Sequence, residues 1–413
     1  MTFCVSGAAT RVFLSAIALI SSSLLAFPQK GVAQESPQTI YWAGVAFVGS
    51  PAEVKQRSPF LSEIVEEEGI SALNQRAWSE LEKIERKDIR FTRDLGSTES
   101  NNAIAMALAL DFEQLNPYYI PALNSVCVAQ AQVYAQILTF DMAQKKLLSA
   151  FPIVSKGVRD CEQDTDVLSK TKGREWISDA FLGEGESLIN EFPSAMKDLP
   201  LNRGWLANIQ VGDIKLGSHA KDALVARGIS ERFYKRWLAA QVTSNMSAKA
   251  AIPVLPYSLG QAIGGAMPLR FSETSAFNIN LPPADYVLDL TARGYVKKTT
   301  GETANTIDNT YIFGVGLSFK HPMLDEVYFE ENLQFFEGRR ENKADGIPPW
   351  ESFERLTVTS VRQVFSQFSD PDQKWAKKYV NRLKKKKASW KSIRKSFQRV
   401  EKDIFSQIRG DLK

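Results

Sequence analysis

The sequence predicts an α+β protein that contains two copies of one unit, followed by a basic helical tail. The main evidence is a repeat in which Gly69, Ile70, Ser71 and Trp78 recur as Gly228, Ile229, Ser230 and Trp237, an offset of 159. A second set recurs at the same offset, with Ala103, Ile104, Ala107, Leu110 and Phe112 matched by Ala262, Ile263, Ala266, Leu269 and Phe271. A shared offset across two separated motifs indicates a tandem duplication.

Hydrophobic periodicity assigns the elements of the first unit, residues 34–199. The predicted order is a strand over Ile40–Val48, two helices with apolar positions at helical spacing, a short strand over Ile89–Phe91, a small-residue helix over Asn101–Leu110, strands over Val126–Phe140 and Lys146–Val154, and a closing helix through Trp176. The long strand alternates apolar and polar residues, and Asp141–Lys145 forms the turn that follows it.

The second unit, residues 200–370, repeats this order. The predicted elements are a strand over Ile209–Leu216, helices over Ala220–Ala226 and Glu231–Gln241, a short strand over Ile252–Leu255, a helix over Ile263–Phe271, strands over Tyr286–Tyr295, Tyr311–Phe319 and Val327–Phe335, and a closing helix through Phe353. Helices packed on an antiparallel meander make each unit α+β.

Residues 1–33 have the layout of a signal peptide. Arg11 precedes the apolar run Val12–Phe27, and small residues end the segment at Ala33. The run is shorter than the roughly 20 residues that a membrane-spanning helix needs. We therefore expect cleavage near Ala33 and a mature protein in the bacterial periplasm or secreted from the cell.

Two cysteines, Cys127 and Cys161, remain after this cleavage. An oxidising compartment permits a disulfide between them, and they flank what the sequence indicates to be one sheet region. Two buried free thiols are the alternative, because free cysteine packs as a small hydrophobic residue.

No catalytic, cofactor-binding or metal-binding residues can be assigned from sequence motifs. The chain lacks a Gly-x-Ser-x-Gly elbow, a phosphate-binding loop and a His-Glu-x-x-His helix, and its only histidines are His219 and His321. No cofactor is therefore expected. An exported hydrolase that uses two carboxylates in the crevice between the units is the alternative to a non-catalytic protein.

The tail, residues 371–413, is strongly basic and amphipathic. From Lys374 onward, 15 Lys and Arg stand against three acids, a net charge of +12. Because the whole chain carries +4 and residues 1–33 carry +2, residues 34–373 carry −10. The predicted interaction residues are Trp390, Ile393 and Phe397 in an apolar helical stripe, the run Lys384, Lys385, Lys386 and Lys387, and Arg394 and Lys395 beside the stripe.

Such a helix can bind three kinds of surface. The stripe can dock on the acidic body of its own chain, lie on an anionic membrane surface, or bind the groove of a partner protein. Nucleic acid is not expected for an exported chain whose remaining residues are acidic. The oligomeric state is left open.

The segment Ile40–Val48, the helix after it and the hairpin from Val133 to Ile153 with its Phe140-Asp141 turn resemble two exported α/β domains. These are the domain of the curli-secretion lipoprotein and the N-terminal domain of the Tol-system translocation protein. The resemblance implies a non-catalytic protein of envelope assembly or secretion that acts through protein contacts, with an envelope protein as its partner. No functional residue carries over.

Overall fold

The computed structural model describes residues 37–94, 103–120, 126–161, 171–197, 199, 201, 205–257, 265–271, 276–343 and 349–411. The predicted signal peptide lies outside these residues. The α+β class is confirmed, because two sheets of seven and four strands are covered by helices.

The first half runs from the first strand to a pair of helices. Its elements are β1 (Gln38–Val48), α1 (Pro51–Arg57), α2 (Pro59–Glu68), α3 (Ile70–Leu81), β2 (Ile89–Thr92), β3 (Ile104–Ile120), β4 (Val126–Asp141), β5 (Lys146–Cys161), α4 (Gly173–Leu182) and α5 (Leu188–Met196). Helix α1 begins where local chemistry predicts: Ser50 and Glu53 form a capping box, and Pro51 occupies the first turn.

The second half follows a similar order, with fewer helices and an additional hairpin. Its elements are β6 (Ile209–Leu216), α6 (Ser218–Val225), α7 (Glu231–Ala250), β7 (Gly265–Arg270), β8 (Ala276–Leu281), β9 (Tyr286–Glu302), β10 (Thr306–His321), β11 (Glu326–Asn342) and α8 (Pro349–Ser369). The tail adds α9 (Gln373–Tyr379), α10 (Asn381–Lys384), α11 (Trp390–Val400), a π-helical turn (Glu401–Phe405) and α12 (Ser406–Arg409).

The two halves share one strand connectivity. In the first, β1 lies parallel to β3, and β3, β4 and β5 form an antiparallel meander. In the second, β6 lies parallel to β9, and β9, β10 and β11 form the matching meander. The short strand β2 pairs in parallel with β1, and Leu255 makes the corresponding parallel bridge to Gln210 of β6.

Irregular positions of the backbone recur as well. The bulge in β3 falls at Asp111, and one of the two bulges in β9 falls at Arg293. The turn after β4 ends at Lys145 with φ 51°, and the turn after β10 ends at Asp325 with φ 50°. A fold duplicated strand by strand explains this agreement, because bulges are features that a strand pairing keeps.

The first repeated motif occupies equivalent positions, whereas the second does not. Trp78 lies in α3 and Trp237 in α7, and Gly69 and Gly228 precede these helices with φ 78° and 69°. Positive φ is the conformation that glycine adopts without steric cost, which explains why both copies have it.

The predicted helices over 101–110 and 263–271 are wrong, because β3 and β7 occupy their described parts. Phe112 lies within β3, whereas Phe271 follows β7, and the residue of β9 that corresponds to Phe112 is Gly294. Ala105, Ala107 and Ala109 in fact alternate with larger residues and share one face of a strand.

The additional hairpin β7–β8 joins the two halves. It belongs to the second half in sequence, yet β8 pairs with β5 at Lys146 and Asn280, and β7 pairs with the end of β1 at Val48 and Leu269. Its buried side chains pack with the small residues of β3 in a separate core, which contains Ala105, Ala107, Ala109, Met267, Leu269 and Ile279. The first sheet is therefore completed by the second half of the chain.

Candidate functional site

The apolar stripe of the tail is buried against the rest of the chain. Ile393, Phe397, Val400, Ile404 and Ile408 all belong to the core of the second half. Phe397 packs on Phe329 of β11 and Phe368 of α8, with ring centroids 4.8 and 5.1 Å apart. The final helix is therefore part of the folded body, which is the first of the three arrangements that the sequence permits.

The predicted interaction residues divide between core and surface. Ile393 and Phe397 are buried, and Trp390 is partly buried against the same core. Lys384, Lys385, Lys386, Lys387, Arg394 and Lys395 are all exposed. The outer surface of the tail is thus cationic, and its apolar residues face inward.

Arginines attach the tail to the body. Arg382 donates to Glu331 of β11, with Nε 3.1 Å from Oε2, and this hydrogen bond raises the pKa of Arg382. Arg399 pairs with Glu326, and Arg409 donates through Nη1 to the carbonyl oxygen of Ala250 at 2.7 Å. The carboxylate of Glu331 is fully buried, so its pairing with Arg382 compensates an otherwise costly burial of charge.

The exposed lysines of the tail, and Arg394, differ from these arginines. Within the part of the chain that the structure describes, no ion pair is formed by any of the exposed cations Lys374, Lys377, Lys378, Lys384, Lys385, Lys386, Lys387, Lys391, Arg394, Lys395 and Lys402. The acids of the body that contact the tail pair with arginines instead. The positive charge of these side chains therefore faces solvent.

An aromatic side chain lies among these cations. Phe336 of β11 is 37% exposed, and the ammonium groups of Lys378 and Lys384 lie 5.0 and 5.1 Å from its ring centroid. Desolvation, followed by the nearby charge of Lys378, lowers the pKa of Lys384. Both ammonium groups lie within the distance of a cation–π interaction with this ring. We call Phe336, Lys378, Lys384, Lys385, Lys386 and Lys387 the basic aromatic surface.

The crevice expected between the halves is mostly filled. Glu354 of α8 is buried there and accepts hydrogen bonds from the side-chain amides of Gln114 and Asn116, each at 3.2 Å. Next to it, the hydroxyl of Tyr134 accepts from Nε2 of Gln241 at 2.9 Å. A cavity of about 20 Å³ beside Tyr134 has room for one water molecule.

A larger cavity of about 140 Å³ lies nearby and is lined by two carboxylates, Glu53 and Asp111. Asp111 accepts from Arg57 at 3.0 Å and from Arg236 at 2.8 Å. Hydrogen bonds from the backbone and hydroxyl of Ser50 lower the pKa of Glu53. Burial raises the pKa of Asp111, whereas the charge of Arg57 lowers it. Asp111 is held by one arginine from each half, Arg57 and Arg236, and this arrangement supports a structural role that joins the halves.

Among the described residues, no group of three or more His, Cys, Asp and Glu side chains is arranged to hold a metal ion. The described helices also include none with the length and hydropathy of a membrane span.

Backbone register brings the two cysteines together. Cys127 of β4 lies directly opposite Cys161 of β5 in the antiparallel ladder. No disulfide is formed among the side chains that the structure describes, and those of Cys127 and Cys161 lie outside this set. The disulfide therefore stays a prediction.

The sequence matches no known protein-family model and no curated protein.

Proposed function

We propose that this protein is an exported, non-catalytic binding protein of the bacterial cell envelope that acts in assembly or secretion. Its contact with a partner protein is made by the basic aromatic surface. The proposal rests on one observation: Arg382 and Arg399 form ion pairs with acids of the body, whereas the exposed lysines of the tail form none within the described residues. Export rests on the signal-peptide layout of residues 1–33.

The chemistry of the surface indicates an acidic partner. Phe336 supplies an exposed ring at its centre, and the lysines around it supply charge without competing carboxylates of their own. Aromatic residues are enriched in interface cores, whereas charged residues at the rim give specificity and raise the rate of association. The partner that fits is a protein segment with several Asp or Glu residues and an apolar side chain to cover Phe336.

The test is capture from the envelope fraction of the source cell, with two variants of the full mature chain. The first replaces Lys384, Lys385, Lys386 and Lys387 by Gln. The control replaces four exposed lysines of the body, Lys87, Lys215, Lys249 and Lys298, by Gln and therefore loses the same charge. We expect the wild type and the control to retain one acidic protein that the first variant loses.

The salt dependence of capture is a second test of the proposed surface. Capture by the wild type should weaken steeply between low salt and about 0.5 M salt, because exposed charges are screened over roughly 10 Å at 0.1 M ionic strength. Equal capture by both lysine variants would refute the proposed surface. A mature protein that still carries residues 1–33 would refute export by signal-peptide cleavage, and mass spectrometry of the N-terminus measures this.

A further inference from the structure

The turn between β10 and β11 exposes apolar side chains. Met323 is 87% exposed and Leu324 is 67% exposed, and Pro322 and Val327 on either side are exposed too. Single apolar residues on a surface are ordinary, but four within six positions at one hairpin end form a patch. We call Pro322, Met323, Leu324 and Val327 the apolar tip.

Because the fold is duplicated, the apolar tip can be compared with the equivalent turn of the first half. The equivalent turn of the first half, between β4 and β5, has the same length and the same left-handed residue at its end, Lys145 in place of Asp325. Ala143 and Gln144 occupy the positions of Met323 and Leu324. The turn therefore folds without large apolar residues at these two positions, so its backbone does not require Met323 or Leu324. Met142, at the position of Pro322, is partly buried.

One cation of helix α11, Arg399, contacts the tip, and two more lie near it along the helix and the π-helical turn that follows. Arg399 donates to the carbonyl oxygen of Val327 at 3.4 Å and pairs with Glu326. Lys395 and Lys402 lie one turn before and one turn after Arg399, and both are exposed. Their positions place them on the outer side of the helix, opposite the buried stripe.

Acidic groups also lie near the tip. Glu326 and Asp403 share the guanidinium of Arg399, and Lys320 pairs with Asp289 at the base of the turn. Asp325 is exposed at the turn itself. Glu330, three residues after Val327, is exposed as well. The acids nearest the tip therefore balance its nearest cations, and the excess of positive charge on this side of the molecule comes from Lys391 and Arg394, further along the helix.

We propose that the apolar tip inserts into the surface of an anionic bilayer. Met323 and Leu324 enter the boundary between headgroups and acyl chains, and Lys395 and Lys402 contact anionic headgroups. Apolar burial and attraction to anionic lipid together account for interfacial binding of soluble proteins. This surface is separate from the basic aromatic surface and adds a membrane contact to the proposed protein contact.

Co-sedimentation of the full mature protein with vesicles tests the proposal. The vesicles contain either phosphatidylcholine alone or an equal mixture of phosphatidylcholine and phosphatidylglycerol. We expect binding to the mixed vesicles, and at least about a tenfold loss in the double variant Met323→Ser with Leu324→Ser, because the transfer of each apolar side chain into lipid is lost. The control is Val225→Ser, which removes an aliphatic side chain that is 79% exposed elsewhere and should bind as the wild type does.

A second pair of variants separates charge from insertion. Lys395→Gln with Lys402→Gln should reduce the preference for mixed over neutral vesicles. Leu324→Trp should bind at least as well as the wild type, and its fluorescence should be quenched by brominated acyl chains, which report depth.

Two results would overturn the proposal. One is a wild-type protein that binds neither vesicle, in which case the tip is a contact for a protein with an apolar groove. The other is equal binding by the tip variant and the wild type. The protein-contact proposal is judged separately, because the tip variant should still capture the acidic partner and the variant of Lys384–Lys387 should still insert its tip.

Discussion

Arg236 of α7 donates a hydrogen bond to Asp111 of β3, with Nη1 2.8 Å from Oδ1, across the boundary between the two halves of the duplicated chain. Arg57 of α1 reaches the same oxygen at 3.0 Å. All three side chains are mostly shielded from solvent. One carboxylate thus holds a helix from each half, at a bulge that recurs in β9.

This relationship predicts the effect of Asp111→Ala. The substitution leaves two guanidinium groups in a buried site without their anion, which typically costs about 3–5 kcal/mol. Urea unfolding should show a loss of this size. Asp160→Ala, at an exposed position of β5, serves as control and should change stability by less than about 0.5 kcal/mol. A small effect of Asp111→Ala would mean that the ion pairs do not hold the halves together.

Because the second half of the chain supplies the β7–β8 hairpin to the first sheet, we expect that the first half does not fold alone. Residues 34–199 lack β7 and β8, so Ala105, Ala107 and Ala109 of β3 lose the cover that Met267, Leu269 and Ile279 supply. We expect this fragment to bind a hydrophobic dye and to unfold without a cooperative transition, whereas residues 34–413 unfold cooperatively. A cooperative transition in the fragment would show that the hairpin is dispensable.

The opposed cysteines predict a disulfide. Cys127 and Cys161 face each other in adjacent strands, and bonded cysteines require Cα atoms about 4.4–6.8 Å apart, a spacing that opposed residues of an antiparallel pair meet. Thiol titration of material exported to an oxidising compartment, under denaturing and non-reducing conditions, should find neither thiol free. Two titratable thiols would exclude the bond, and reduced material provides the positive control.

Glu113 predicts a stability that depends on pH. Its side chain is buried and accepts from the backbone N–H groups of Phe60 and Leu61 at 3.0 and 2.7 Å, at the start of α2. Burial outweighs these hydrogen bonds and raises the pKa of Glu113 from 4.5 to about 7. The folded state therefore binds a proton that the unfolded state releases between these values, and stability falls as pH rises from about 4.5 to about 7.

The measurement is urea unfolding of the wild type and Glu113→Gln between pH 4.5 and 8. We expect the difference in unfolding free energy between the two proteins to change across this window in favour of the variant at higher pH, because Gln cannot lose a proton. A constant difference would contradict the raised pKa. Glu63 contributes a smaller part of the shift through its charge, so Glu63→Gln should lower the pKa of Glu113.

The docked stripe predicts that Phe397 stabilises the whole second half. Phe397→Ala removes a ring packed on Phe329 and Phe368 and should cost about 3–5 kcal/mol. Lys395→Ala, on the outer face of the same helix, should cost less than about 0.5 kcal/mol. If both variants unfold as the wild type does, the tail is not part of the cooperative core.

Deletion of residues 388–413 extends this test. The truncated protein should lose stability and expose apolar surface, because Ile393, Val400, Ile404 and Ile408 lie in the same core as β9 to β11. An unchanged unfolding transition would contradict the docked arrangement.

Local sequence determined most elements of the fold. Alternation over Tyr311–Phe319 predicted β10, and the stripe from Trp390 predicted the last helix, which runs through a π-helical turn to Arg409. Strong periodicity suffices in these cases because each element buries one face. The charge of the tail surface also follows from the sequence alone, since the exposure of lysine hardly depends on the fold.

The tertiary structure decided what periodicity left ambiguous. A short run of alternating alanines and larger residues fits a helix or a strand, and β3 is a strand because both of its faces are covered, one by helices and one by the β7–β8 hairpin. The donation of that hairpin involves contacts between residues far apart in sequence, which no local pattern encodes. The same is true of the candidate site. The sequence identified the lysines and the apolar stripe of the tail. Only the packing showed that Phe397 faces inward, that arginines pair with the acids of the body, and that Phe336 lies between two lysines.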